Sequence, residues 1–155
     1  MRARNFFSLA FVFAPAWAAA CSFAGLSHDV QFAPASTRLE SRELVWVAEW
    51  FAVQRDPNRA TGGVYRADVA ARAIKGDAAS SKKAQRRLGE IAGLLTTLGA
   101  VTSVEVHTHI DEVERRSIKN PAGLDVVQAS VQPACAKTLS CCKWSEGPPK
   151  QLKAQ

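Results

Sequence analysis

The chain lacks long apolar runs: only one segment, near the start, is apolar enough to approach a membrane span, and its uninterrupted core is far shorter than the roughly 20 residues a spanning helix needs, which excludes a polytopic membrane protein. It has no compositional bias either. With 9 glycines, 22% charged residues and 47% hydrophobic ones among 155, it is neither collagenous nor a coiled coil nor wholly disordered, and one globular domain is expected. There is no Gly-x-Ser-x-Gly elbow, no Walker-type loop, no dinucleotide fingerprint and no His-Glu-x-x-His, so the usual nucleophilic, phosphate-binding and zinc-hydrolase sites lack their residues. Cys141-Cys142 lacks the Cys-x-x-Cys spacing of a thiol oxidoreductase. No enzyme and no cofactor is expected. The excess of positive charge is small, 20 Lys+Arg against 14 Asp+Glu for a net +6, and does not name a partner.

The N-terminus is more specific. Arg2 and Arg4 precede an apolar run from Phe6 to Ala14, Pro15 breaks it, and Ala16-Trp17-Ala18 or Ala18-Ala19-Ala20 offers small residues for cleavage. This order reads as an export signal over residues 1–20. The expected location is the periplasm or outer membrane. Cys21 follows Ala20 directly, where a bacterial lipoprotein carries its lipid, although Ala18 is smaller than the usual residue three positions earlier. Lipidation of Cys21 would be the only membrane contact. The alternative is that Cys21, Cys135, Cys141 and Cys142 form disulfides in an oxidising compartment. Adjacent cysteines rarely bond each other, so the simplest scheme pairs Cys21 and Cys135 with Cys141 and Cys142.

Periodicity places the elements. Val30 and Phe32 alternate with polar neighbours and suggest a strand at about 29–32. Leu44, Val47, Ala48 and Phe51 recur on one helical face, predicting a helix over 41–54 with Ser41 as its N-cap and Trp46 and Trp50 extending its packing stripe. Val64 to Ala71 reads as a second strand after a turn-rich segment holding Gly62-Gly63. From Ser80, the series Ala84, Leu88, Ile91, Leu95 and Leu98 predicts a second helix. Its outer face is expected to carry Lys82, Lys83, Arg86 and Arg87, and Gly99 to close it with a left-handed cap. Third and fourth strands are expected at about Val101–His109 and Leu124–Val131. The order β-α-β-α-β-β predicts an α+β domain over 21–132, with two helices packed on one face of a small mixed sheet. A Cys-containing basic tail would follow over 133–155.

This pattern resembles the OmpA-like peptidoglycan-binding domain over about residues 29–131. Phe32, Ser36 and Leu39 precede the first helix as the family's Phe and Ser-x-x-Leu do, and Arg86-Arg87 through Leu94-Leu95 to Gly99-Ala100 matches the spacing of its Arg-Arg helix. The resemblance implies a peptidoglycan ligand, with an Asp after the second strand and the second Arg of the helix holding the two ends of a diaminopimelate side chain. The Arg would grip the carboxylate through two parallel bonds and the Asp would take the ammonium. Arg87 falls on the Arg position. Arg72 stands where the Asp is expected, and no Gly-His-Thr-Asp-type sequence is present; Asp68 or Asp77 is the candidate substitute, and Arg86 extends the positive patch. The family's Asn-Arg-Arg before the last strand is replaced by Asn120-Pro121-Ala122-Gly123, with Arg115 and Arg116 too far upstream for a match.

Two other readings stay open. A small disulfide-bonded periplasmic protein, inhibitor-like or immunity-like, would use the same scaffold to bind an envelope protein partner. His107 and His109, alternate residues of one strand with Asp111 beyond them, could share a face and hold zinc or copper if His28, the neighbourhood of Glu105 or the C-terminal cysteines completed the set. Without such a partner they are an exposed polar strand face. Nucleic acid is not an expected partner, because Lys82, Lys83, Arg86 and Arg87 have no interleaved aromatics and the chain is expected to be exported.

Overall fold

A computed structural model of the chain describes residues 25–138 and 140. The expected signal segment, Cys21, Cys141, Cys142 and most of the expected tail lie outside the described residues. Strands β1 (Ser27–Gln31), β2 (Val64–Ile74), β3 (Glu105–Val113) and β4 (Val126–Pro133) form one sheet in the order β1-β4-β2-β3. Between them run helices α1 (Ser41–Gln54) and α2 (Ala78–Gly99), and a short α3 (Ala134–Lys137) ends the described fold. The order β-α-β-α-β-β is therefore the observed one. β2 and β3 are parallel, with α2 as the crossover that parallel neighbours require; β4 is antiparallel to both β1 and β2.

The sheet has one dry face and one wet face, set by alternation along each strand. Val30, Ala67, Val69, Ala71, Ala73, Val127, Ala129 and Val131 are buried in one cluster with Val47 and Phe51 of α1 and Ala84, Leu88, Ile91 and Leu95 of α2. So many alanines leave room for α2 to lie close to the strands. On α1 only the inner stripe Val47, Phe51 and Gln54 is buried. The helix touches α2 and β1 at the margin of the layer, so Leu44, expected in the stripe, is left exposed, as is Trp46. Trp46 instead lies under the Arg42 guanidinium at 4.1 Å. Trp50 does pack: its indole N–H donates to the Gly25 carbonyl at 2.8 Å, and His28 stacks on its ring, fastening the start of β1 to α1.

Several boundaries differ from the sequence expectation for local reasons. Ser41 is the first helical residue of α1 and Glu40 is the N-cap, without a side-chain cap bond. α2 starts at Ala78 because Asp77 caps it, accepting from the Ser80 N–H at 3.0 Å. Gly99 is not a left-handed cap. Its φ is −88°, and the left-handed residue is Ser103 (φ 54°), reached after a 3-10 turn over Ala100–Thr102. Gly99 serves close approach instead: a Cβ there would sit 3.0 Å from the Val104 Cβ and 3.6 Å from the Phe51 ring. That extra turn moves β3 four residues later than the expected Val101–His109. The domain also reaches past residue 132: Pro133 pairs with Val64, and the Ala134 and Cys135 N–H groups bond to the Gly63 and Thr61 carbonyls. Cys135 is buried there and is not a free residue.

Two substitutions separate packed from unpacked aromatic residues on α1. Phe51→Ala is expected to cost about 3–5 kcal/mol through the cavity it leaves, and Trp46→Ala under about 1 kcal/mol, the worth of an exposed cation–π contact. Urea denaturation of the full chain measures both; equal losses would contradict the burial pattern.

Candidate functional site

α2 carries the residues on which the sequence reading depends, and its N-terminus is fixed from both sides. The Ile74 N–H at the end of β2 donates to Ser80 Oγ at 2.9 Å, and Arg115, just after β3, donates to Asp77 Oδ2 at 2.9 Å. From this anchored start, Ala84, Arg87, Leu88, Ile91 and Leu95 face the core. Arg87 therefore points inward, not onto the outer face expected of it, and is 1% exposed.

Its guanidinium is held by the protein itself. Nε donates to the Ser36 carbonyl at 2.7 Å, Nη2 to the Ala33 carbonyl at 3.1 Å, and Nη1 to the Leu124 carbonyl at 2.9 Å and to Asp125 Oδ1 at 2.8 Å. Four of its five N–H donors are thus engaged. The plane lies 4.9 Å from the Phe32 ring, and Lys83 reaches the same Asp125 oxygen at 3.3 Å. The loop after β1, the segment entering β4 and α2 converge on this one cation. Asp125 provides the charge partner that the sequence reading assigned to a ligand carboxylate.

The remaining candidate residues do not join it. Arg86 is exposed on α2. Arg72 lies within β2, which continues to Ile74; its neighbours Ala71 and Ala73 face the helices, so Arg72 projects from the opposite, wet face. Asp68, on that same wet face, is bonded to Arg66 at 2.9 Å and to Gln132 at 3.3 Å. Asp77 is spent on capping α2 and pairing with Arg115. His107 and His109 do share a face, but each is drawn to its own neighbour, Glu105 and Asp111, at 3.7 Å. His28, offered as a further ligand, is stacked on Trp50. Among the described residues no group of three or more His, Cys, Asp or Glu is placed to hold a metal ion.

Asp125 and Asp77 are the carboxylates whose protonation is coupled to this arrangement. Burial alone would raise Asp125, but the hydrogen bonds and charges of Arg87 and Lys83 outweigh it and hold the carboxyl below its ordinary value. Asp77 is lowered by the Ser80 backbone N–H and by Arg115. A carboxyl lowered on folding contributes stability that is complete above the unfolded pKa, about 3.9, and is lost as pH falls through the folded value. The urea midpoint is accordingly expected to stay level from pH 7 to about pH 5 and to drop below about pH 4, with a shallower drop in Asp125→Asn; a midpoint unchanged down to about pH 2 would deny these pairs any weight. Arg87→Ala takes the partner from the part-buried Ser36 and Leu124 carbonyls and leaves Asp125 to Lys83 alone, and is expected to cost about 3–5 kcal/mol at neutral pH in the same assay.

No protein-family model matches the chain, and no curated protein matches it. Among solved structures, the cell wall anchor of the type VI secretion system from Pseudomonas aeruginosa is similar to it. The two are 17% identical with a TM-score of 0.47, and the match covers 69% of this chain and 80% of that one.

Proposed function

We propose that this chain is an exported, non-catalytic cell-envelope protein of OmpA-like type, associated with peptidoglycan, in which the arginine that resembles the family's ligand grip now serves the fold. The resemblance in order and spacing, together with the β-α-β-α-β-β arrangement, supports the scaffold. The single observation that carries the reading of the site is the Arg87 cluster: α2 delivers the arginine to the meeting point of two loops, where Asp125 accepts from it at 2.8 Å. Periplasmic or outer-membrane residence, lipidation at Cys21 and disulfides among Cys21, Cys135, Cys141 and Cys142 belong to the same proposal. The second reading, a disulfide-bonded interaction protein, draws support from that internal commitment of Arg87 and from Leu44, Val45 and Trp46 standing exposed on α1. On that reading the partner is an envelope protein.

Sedimentation with purified peptidoglycan sacculi separates the two. The full chain is expected to pellet with sacculi at about 0.5 M salt, where the screening length falls well below the roughly 8 Å of physiological conditions and loose attraction of a basic protein fades. Pelleting at low salt alone, or none, overturns wall association and leaves the protein-partner reading.

A further inference from the structure

The wet face of the sheet carries a concavity that Arg87 does not reach, formed where two clefts meet at Arg72. The larger, about 400 Å³, runs beneath the connection between β3 and β4 and is lined by Arg72, Val113, Ile118, Lys119, Asn120 and Leu124. The smaller, about 210 Å³, opens on the sheet beside Asp29, Asp111 and Gln128. The larger volume lies within the range of small-molecule sites.

Arg72 and Asp111 are Cα partners in the β2–β3 ladder, so an ion pair between them would be the simple outcome. None forms, and the Arg72 side chain has no hydrogen bond or ion pair with any described residue. Its guanidinium is turned to the roof of the cleft, with Nη1 3.8 Å from where a Cβ on Gly123 would stand. Asn120 is oriented by its own turn: Oδ1 accepts from the Ala122 N–H at 3.0 Å, which leaves the amide NH₂ as a donor. Lys119 adds a second cation at the rim. Val113, Ile118 and Leu124 supply an aliphatic wall beside these donors.

We propose that this cleft binds a monocarboxylate with an aliphatic body, the carboxylate held by Arg72 and the Asn120 amide and the chain laid along Val113, Ile118 and Leu124. An arginine fork matches the two oxygens of a carboxylate. Asp29 and Asp111 in the adjoining cleft oppose a second negative charge, which selects against phosphate dianions and polyanions. The ligand is either a free aliphatic acid or the C-terminal residue of a peptide. This site stands apart from wall association and does not depend on it.

The test is amide NMR of the labelled full chain, titrated with N-acetyl-leucine, N-acetyl-leucinamide, inorganic phosphate, and a short leucine-ending peptide with a free or an amidated C-terminus. N-acetyl-leucine is expected to shift the amides of Arg72, Ile118, Asn120 and Gly123 at millimolar concentration, while its amide and phosphate do not. Arg72→Gln should weaken the binding at least about tenfold with the spectrum elsewhere unchanged, and Arg38→Gln, at an exposed loop residue that lines neither cleft, should leave it as it is. Tighter binding of the free-ended peptide than of N-acetyl-leucine identifies a peptide terminus as the source, and weaker binding identifies a free acid; both uphold the carboxylate site. Equal binding of acid and amide, preference for phosphate, binding that survives Arg72→Gln, or no shift up to about 20 mM overturns it.

Discussion

A single buried cation organises the side of this domain where its irregular segments meet. Loop residues after β1 and before β4 have backbone carbonyls that no ladder satisfies, and leaving such groups buried and unpaired is costly. Arg87 answers three of them at once, at Ala33, Ser36 and Leu124, and brings Asp125 as its counter-charge. The Asp125 carbonyl in turn accepts from the Phe32 N–H at 2.8 Å, and the Phe32 ring lies beside the guanidinium. Two loops and a helix are thereby locked through one side chain. A buried ion pair of this kind is weak evidence for extra stability over an apolar core. Its contribution is to fix which carbonyl faces which donor, and so where β4 begins relative to the end of β1.

The sheet divides the remaining chemistry by parity. Toward the helices the strands present valine and alanine, and the helices cover them. Away from the helices, β2 and β3 present Arg66 beside Glu105, Asp68 beside His107, Ala70 beside His109 and Arg72 beside Asp111. Arg66 is paired with Asp68 along β2, and on β3 His107 lies beside Glu105 and His109 beside Asp111. Arg72 is the exception that matters, because its guanidinium leaves Asp111 for the cleft under Gly123.

The long amphipathic elements were legible because many residues vote for them. α1 spans the expected residues 41–54, and the Ala84, Leu88, Ile91 and Leu95 series defines α2. The ends were less legible, since each rests on one residue: Gly99 reads as a left-handed cap, yet the structure uses its missing Cβ to let Val104 and Phe51 approach. The inward face of Arg87 was present in the spacing, for it lies three after Ala84 and four before Ile91, squarely within the apolar stripe. Its charge argued for the outer face, and charge was the weaker signal. Asp125 carried no comparable mark. It precedes a strand of mixed pattern, and only the three-dimensional meeting of residues 33–36 with 124–125 makes it a partner.

The same parity argument limits what the Arg87 position can do. A two-pronged grip on a ligand needs its second prong on the side of the sheet where Arg87 lies, and position 72 would supply it only if the chain had already left the strand. Here β2 runs on to Ile74 with every residue from Arg66 paired to β3, so position 72 is held in the ladder and points to the wet face. Sliding β2 by one residue would turn Arg72 toward the helices, but it would also expose Ala71 and Ala73 and every other apolar residue of that strand. A carboxylate substituted at position 72 would therefore face Asp111 on the wet side and would not reach Arg87. The spacing that produced the family resemblance is kept in α2, while the longer strand separates the two positions that the resemblance would have joined.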